Sequence, residues 1–532
     1  MAEQPAATAP RAEWRPAVNP WLIAASVMLA TFMEVLDTSI ANVALNHIAG
    51  NLSASTDEAT WVLTSYLVAN AVVLPATGWL GRFFGRKRFL IACIVIFTLA
   101  SLLCGLATSL PFLIVARIIQ GAGGGALQPI AQSVLLESFP PEKRGNAMSV
   151  YAIGVVVAPI LGPTLGGYLT DAYSWRWSFL INLPIGVVAV ILCSLFLEDP
   201  PYLRDGSKPG RIDFVGLGLL TLWIGCLQIM LDKGQDEDWF SSTFICVLSL
   251  GAVIGFVVFL IWELRVANPI VNLRVLLDRN LVIGTLLLFL IGALLYATNA
   301  VLPLFLQNLL NYPSFQSGMV VSPRGIGAIA GSIIAGRVLA TGKIDGRAWI
   351  AGGFVVLGVA MVMLGDLNTA ISPWTLVPAV VISGFATTCV FVPMSTFSMA
   401  TVSREQIGDA SGIVNLARNV GGSVGISLVT ALVTRGAQTH QALMVGHLSP
   451  FNPVFNDQLA AMQRALAGQS GSVTAQNQAY ALMYRTLQAQ ASLFSYVDGF
   501  RLMVLVCFAC AVLPFLFKRG ARPPAGAAAA AH

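Results

Sequence analysis

Two acids, Glu34 and Asp37, interrupt the otherwise apolar run ATFMEVLDTSIANVAL. Their i, i+3 spacing puts both on one face of a helix. An ionisable side chain inside a membrane-length apolar helix costs about 2.5–3.5 kcal/mol on insertion scales, and by default it marks function. Two carboxylates close together in a low-dielectric site cannot easily both hold a charge. A group that takes up and gives back its proton is what a proton carrier requires, so the spacing predicts that Glu34 and Asp37 load protons in alternation with substrate. The plainer alternative is that Asp37 hydrogen-bonds a neighbouring helix. Three arginines interrupt apolar runs in the same way: Arg117 in LIVARIIQGAGGG, Arg324 in VSPRGIGA and Arg418 in NLARNVGGSVG. Each needs a partner. Arg117 could pair with Glu34, with Asp37 or with carbonyls freed near the glycines, and beside an acid it would favour the charged carboxylate. Arg324 and Arg418 read equally as staples between helices or as pairs near the inner mouth.

The elements that carry these groups follow from composition. Of 532 residues, 56% are hydrophobic and 10% charged, against about 25% charged in a soluble domain. That balance excludes an ordinary globular enzyme. A spanning helix needs roughly 20 mostly apolar residues. The sequence supplies fourteen such runs, near 21–46, 59–80, 89–108, 111–134, 146–170, 177–197, 213–232, 241–263, 281–306, 317–339, 348–366, 374–396, 408–433 and 500–517. Cytoplasmic loops carry the excess of Lys and Arg. With the amino terminus inside, twenty-one basic residues fall on the inner side, while the short outer loops hold Arg176 and Lys233. This lopsidedness predicts an even helix number and two cytoplasmic termini, with tails 1–20 and 518–532. The net charge of +5 is scattered over short loops, which suits a lipid bilayer and gives no reason to expect nucleic acid. No metal site or cofactor is expected: Cys507 and Cys510 have CxxC spacing, but no second pair or histidine completes a site.

One connection is long. Residues 434–499, placed outside, are rich in Ala and Gln and suggest short amphipathic helices at Asn456 to Leu466 and Thr474 to Ala489, hence a small external subdomain, with a disordered insertion as the alternative. The fifth run, GVVVAPILGPTLGGYL, spaces Gly154, Pro159, Gly162, Pro163, Gly166 and Gly167 to make a flat, bent face. Close packing between the two halves of the molecule, with a gating role, is the expectation. Alternating access would place a substrate site at mid-membrane between the halves. The polar and aromatic residues that interrupt apolar helices there are Asn42, Tyr66, Gln128, Tyr296, Asn299, Phe391, Met394 and Asn415. They suit small amphipathic molecules, although each could equally make ordinary interhelical contacts.

These residues together resemble a family. Leu36-Asp37-Thr38-Ser39-Ile40-Ala41-Asn42-Val43-Ala44, Arg117-Ile118-Ile119-Gln120-Gly121, the run from Gly154 to Gly167, and Trp175-Arg176-Trp177-Ser178-Phe179-Leu180-Ile181-Asn182-Leu183-Pro184 occur in the order of its motifs. The chain resembles the fourteen-helix drug:proton antiporters of the major facilitator superfamily, most closely the EmrB-like multidrug exporters. The resemblance implies an all-α membrane protein with the major facilitator fold. Two six-helix bundles, 21–197 and 281–517, would flank two inserted helices within 198–280. It also implies that Asp37 is the shared coupling site and that Arg117 takes part in proton transfer; Glu34 lies just outside the matched motif and, from its placement alone, would tune Asp37 or meet cationic substrates. In the loop after the second helix, Gly78, Leu80, Gly85, Arg86 and Lys87 match the superfamily pattern, but Arg82 stands at the usual aspartate. The charge is reversed there, so the resemblance does not carry over the cytoplasmic latch that the aspartate makes in relatives. Residues 336–347 echo that loop faintly, as a duplicated half would.

For function, the resemblance implies proton-driven efflux from a bacterial inner membrane, with a periplasmic adaptor (membrane fusion) protein and an outer-membrane channel as partners and residues 434–499 as the docking element. A proton-coupled nutrient or metabolite symporter is the alternative within transport. A membrane-embedded lipid-linked transferase is the alternative of another class; it would need loop catalytic groups, and no HExxH, GxSxG or P-loop occurs in a convincing context. The chain is therefore not expected to be an enzyme.

Overall fold

The computed structural model describes residues 16–140, 143–200, 212–341, 344–368, 371–446, 448–449, 451–470 and 472–517. Residues 1–15 and 518–532 of the tails, and Arg204, Lys208, Arg211 and Lys343, which were counted for orientation, lie outside them. Every regular element among the described residues is a helix. Fourteen are long and apolar enough to cross a membrane. They are α1 (Pro20–Asn51), α2 (Trp61–Phe84), α3 (Arg86–Gly105), α4 (Leu110–Ser138), α5 (Arg144–Ala172), α6 (Trp177–Phe196) and α7 (Phe214–Lys233). The remainder are α8 (Thr243–Arg265), α9 (Arg279–Leu309), α10 (Gln316–Leu339), α11 (Gly346–Gly365), α12 (Pro373–Ser398), α13 (Ile407–Val445) and α14 (Ser472–Cys510).

Local chemistry starts and breaks these helices. Asn19 caps α1, its side chain accepting from the Trp21 amide at 3.0 Å, and Pro20 occupies the first turn, where a missing N–H costs nothing. Gly85 turns the chain between α2 and α3 with φ +83°, a conformation that disfavours a side chain. The Asp199 carboxylate fixes that turn by accepting from the Lys87 amide at 2.8 Å. α4 is interrupted between Gly124 and Leu127, where a glycine cluster weakens the helix and Pro129 withholds a donor. α8 keeps Val247, Leu250, Val253 and Ile254 more than half exposed, a surface that only lipid solvates well.

α1 packs against α5 and α6, and α3 against α4 and α6; α13 packs against α9 and α14, and α10 against α12. The two groups meet where α2 lies on α13 and α5 on α10. α7, paired with α8, is lodged against both α2 and α13. Gln228 of α7 donates to Ser423 of α13 at 2.6 Å, and Asp232 of α7 accepts from Thr64 of α2.

Two expectations change. The glycines of α5 do not join the halves, although Pro163 of the same set lies beside Gly318 of α10. Gly154 lies against Met28, Gly162 against Ser39 and Gly166 against Ile40, all on α1 of the same group, while Gly167 has no neighbour within 4 Å of a Cβ position. Positions 154, 158, 162 and 166 repeat every four residues and share one stripe. The adjoining stripe meets α10 instead: Thr164 lies 3.2 Å from the Ser322 hydroxyl, and Ser149 donates to the Ser332 carbonyl at 2.8 Å. The second change concerns 434–499. α13 and α14 each run 39 residues, about 58 Å at 1.5 Å per residue against a hydrocarbon core of about 30 Å. Asn456 to Leu466 falls inside a separate helix, Pro453–Ser470, but Thr474 to Ala489 is the outer part of α14 itself. That stretch is filled with good helix formers and lacks Gly and Pro before Gly499. Phe455, Leu459, Ala479 and Met483 make a small apolar core between the two.

Candidate functional site

Asp37 and Glu34 share α1 but not partners. Asp37 is fully buried, and its Oδ2 accepts from Arg117 Nη1 of α4 at 2.7 Å in an ion pair with no exposure on either side. Its Oδ1 accepts from Gln120 Nε2 at 2.9 Å and Asn182 Nδ2 at 2.6 Å. Arg117 and Gln120 stand i, i+3 on α4 and so face Asp37 together. Asn182 enters from the first turn of the main segment of α6. Ser101 of α3 accepts from Gln120 at 2.7 Å, and Arg117 Nε donates to the Val62 carbonyl at 3.1 Å. The guanidinium lies 4.1 Å from the Tyr66 ring centre and 5.4 Å from that of Phe179, a buried cation–π environment. Arg117 of α4 thus neutralises Asp37 internally, with Gln120 of α4 and Asn182 of α6 as neutral donors.

Glu34 meets neutral donors. Its Oε1 accepts from Tyr66 Oη at 3.1 Å and Asn70 Nδ2 at 3.0 Å, and its Oε2 from Gln128 Nε2 at 2.6 Å. Close helix approach assembles them: a Cβ on Gly121, Gly124 or Gly125 of α4 would collide with the Tyr66 carbonyl, the Tyr66 hydroxyl or the Asn70 carbonyl of α2. Tyr66 serves both sites, its ring on Arg117 and its hydroxyl on Glu34.

The Glu34 site continues across the centre of the molecule. The Gln128 carbonyl accepts from Arg418 of α13. Arg418 is 5.7 Å from the centre of the Phe391 ring, which stacks on Tyr151 at 6.1 Å. Tyr151 donates to Asn415 at 3.1 Å, and Asn415 to Gln132 at 2.6 Å. Tyr296 packs its ring on Gly422. Arg324 is buried elsewhere, between Asn299 of α9 and Ser383 of α12, both acting as acceptors. Of the expected lining residues, Asn42 is exposed and donates to the Thr38 carbonyl of its own helix, while Met394 is fully buried in the apolar core. These two join none of the polar clusters.

The reversed charge at Arg82 is matched. Arg82, in the last turn of α2, pairs with Asp409 of α13 at 2.6 Å, so the cation sits on one group and the acid on the other. Asp409 is 3% exposed on its side chain, lies in the first turn of α13, where a negative charge is favoured, and rests against Gly78. Arg86 makes a second buried pair with Glu137 of α4. A charged link between the two groups is therefore present at the position where the reversed charge kept the resemblance from carrying over a latch.

Gln120, Asn182, Ser101, Asn70, Gln132 and Asp409 were not singled out from sequence. Gln120 and Asn182 stand inside the quoted motif stretches, which was a usable signal. The amides and the serine resemble ordinary interhelical polar residues, and Asp409 sits at a helix start where a loop charge is unremarkable.

Residues 27–426 match the family model of the Major Facilitator Superfamily. The multidrug export protein EmrB of Escherichia coli K12 is 39% identical over 433 residues, covering 80% of this chain and 83% of that protein. The fatty acid resistance protein FarB of Neisseria gonorrhoeae is 37% identical over 436 residues, covering 82% and 85%. The crystal structure of the human organic anion transporter MFSD10 (TETRAN) covers 92% of this chain and 100% of that one with a TM-score of 0.55 at 14% identity, a likeness of fold. With fourteen apolar helices and these matches, the chain belongs to the Major Facilitator Superfamily, a family of multi-pass membrane transporters and not of enzymes.

Proposed function

We propose that the protein is a proton-driven exporter of hydrophobic or amphipathic compounds that works by alternating access of two six-helix bundles, 21–197 and 281–517. The observation that carries the reading is the Asp37–Arg117 pair, a fully buried carboxylate whose countercharge is on another helix of the same bundle. A proton on Asp37 dissolves the ion pair and leaves Arg117 to its carbonyl and amide partners. Helix α1 then holds a neutral group, and the bundle can shift relative to its partner. Substrate competes through Glu34 and Gln128, which adjoin the Asp37 site by way of Tyr66. Relatives named for multidrug export and fatty acid resistance support an amphipathic cargo.

By the excess of basic residues, the end bearing Arg82 faces the cytoplasm of a bacterial inner membrane. The Arg82–Asp409 link then closes the cytoplasmic side, and the arrangement is outward-facing. The extended ends of α13 and α14, with the helix Pro453–Ser470, stand on the periplasmic side as the docking element for an adaptor protein and an outer-membrane channel. If deleting 440–490 leaves adaptor cross-linking unchanged, this partnership is lost. The central test is proton-driven uptake into inverted vesicles by Asp37→Asn and Glu34→Gln. Loss in Asp37→Asn is expected, and full coupled transport in both variants would refute proton coupling through this site.

A further inference from the structure

Arg418 is as deeply placed as Arg117, with 4% exposure, but it is not neutralised in the same way. Among the described residues its Nη2 donates to Gln128, and the Tyr151 hydroxyl and Glu34 carboxylate lie within electrostatic reach, while Nε and Nη1 have no acceptor at hydrogen-bond geometry. The nearest carboxylate in this arrangement, Glu34, is held behind the Gln128 amide. A buried guanidinium with free N–H groups calls for an acceptor-only partner, and a planar anion satisfies two such donors at once. The surroundings favour an apolar body beside that anion: Phe391 lies against the guanidinium, Tyr151 stacks on Phe391, and Tyr296 packs on the next turn of α13.

We propose that Arg418 is the headgroup subsite for substrates that carry an acidic group, a carboxylate or a like anion, on an apolar body held by Phe391, Tyr151 and Tyr296. This rests on the reading of the protein as an exporter of amphipathic compounds and names the class of compound. The anion engages Nε and Nη1, and a ligand that also draws on Nη2 displaces the Gln128 carbonyl. Gln128 donates to Glu34 through its other end, so headgroup binding loosens a contact of that acid. A cationic headgroup is repelled at this position, and a neutral amide offers one acceptor where the anion offers two.

The test uses the purified full-length protein in lipid nanodiscs and equilibrium dialysis with radiolabelled dodecanoate, dodecanamide and dodecyltrimethylammonium, with binding to empty nanodiscs subtracted. Dodecanoate is expected to bind at least about tenfold more tightly than dodecanamide, the size of a charge-assisted hydrogen-bond contribution, with the ammonium weakest. Arg418→Gln should bring the carboxylate and the amide within about twofold of each other, and Arg418→Lys, which keeps the charge but loses the fork, should fall between. Equal binding of carboxylate and amide to the wild type, tightest binding of the ammonium, or a preference that survives in Arg418→Gln would each overturn the subsite while leaving the exporter reading standing. Failure of all three compounds to bind would overturn both. The wild-type ranking decides even if a variant does not fold.

Discussion

Two buried arginines, Arg117 on α4 and Arg418 on α13, sit in opposite helix groups and differ in what neutralises them. Arg117 has a carboxylate at 2.7 Å, and the acceptor atoms of that carboxylate are in turn filled by Gln120 and Asn182. Arg418 has an amide oxygen and aromatic faces. Burying an ion pair brings little net stability, but removing one partner leaves a charge stranded in low dielectric. The first arginine is therefore locked to the fold and sensitive to a proton on its acid. The second holds two unmet donor atoms, Nε and Nη1, and no carboxylate, against one unmet donor, Nη2, on the ion-paired Arg117, and unmet donors are a liability for a group that only holds a structure together.

The largest effect should come from breaking the lock. Asp37→Asn keeps the shape but leaves Arg117 without a countercharge, and about 3–5 kcal/mol of stability should be lost. Thermal unfolding of the purified protein in detergent would read this as a clear fall in midpoint. Adding Arg117→Gln to Asp37→Asn should recover part of the loss, because no charge then remains stranded. Recovery of nothing would mean that the pair is not the unit described here.

The next effect concerns the link between the groups. Arg82→Asp faces Asp409 with a like charge, and such a contact costs several kcal/mol. Transport should fall, and cysteine cross-linking between α2 and α13 should weaken. The exchange Arg82→Asp with Asp409→Arg should restore the cross-link, since distance and burial are kept while the signs swap. If the exchanged protein behaves like Arg82→Asp alone, the link depends on something other than charge.

Much of this was readable in the sequence, and the reason is specific. Apolar runs of spanning length are forced by the bilayer, so all fourteen helices are visible as composition. Glu34, Asp37 and Arg117 stand out because a charge in such a run is expensive. What did not show was which partner each would take. Glu34 and Asp37 lie on one face by spacing, yet three residues turn a side chain by about 60° from a full revolution, enough for α4 to take Asp37 through Arg117 and for α2 to take Glu34 through Tyr66 and Asn70. Partners from α3 and α6, such as Ser101 and Asn182, depend on packing that no local pattern encodes. Asp409 was hidden because an acid at a helix start is ordinary, and only the meeting of α2 with α13 gives it a task. The α5 glycines were legible as a close-packing stripe but not as to which helix they meet.

That stripe supplies a finer comparison within one helix. Gly162→Ala would drive a methyl into Ser39, whose hydroxyl donates to the Pro159 carbonyl at 2.8 Å; overpacking of this kind costs about 1–3 kcal/mol. Gly167→Ala meets nothing within 4 Å and should be neutral or stabilise by up to about 1 kcal/mol through helix propensity. Parallel thermal melts would check both. Equal destabilisation would show that α5 responds to any lost glycine, and not to contact with α1.

Among the buried charges the smallest change is expected at Arg418, although it is only 4% exposed. Arg418→Gln removes a cation that has no ion pair among the described residues, together with two donors that have no acceptor. Its desolvation cost disappears with it, and the remaining loss is the contact with Gln128, the attraction to Tyr151 and the packing on Phe391. Stability should change by no more than about 1 kcal/mol, the net worth of one hydrogen bond. Replacing Arg117 in the same way strands Asp37 and should cost about 3–5 kcal/mol. A melt in which Arg418→Gln is destabilised as severely as Arg117→Gln would erase the distinction between the two arginines, because it would mean that Arg418 is held by an internal countercharge after all, and Glu34 would be the group to remove next.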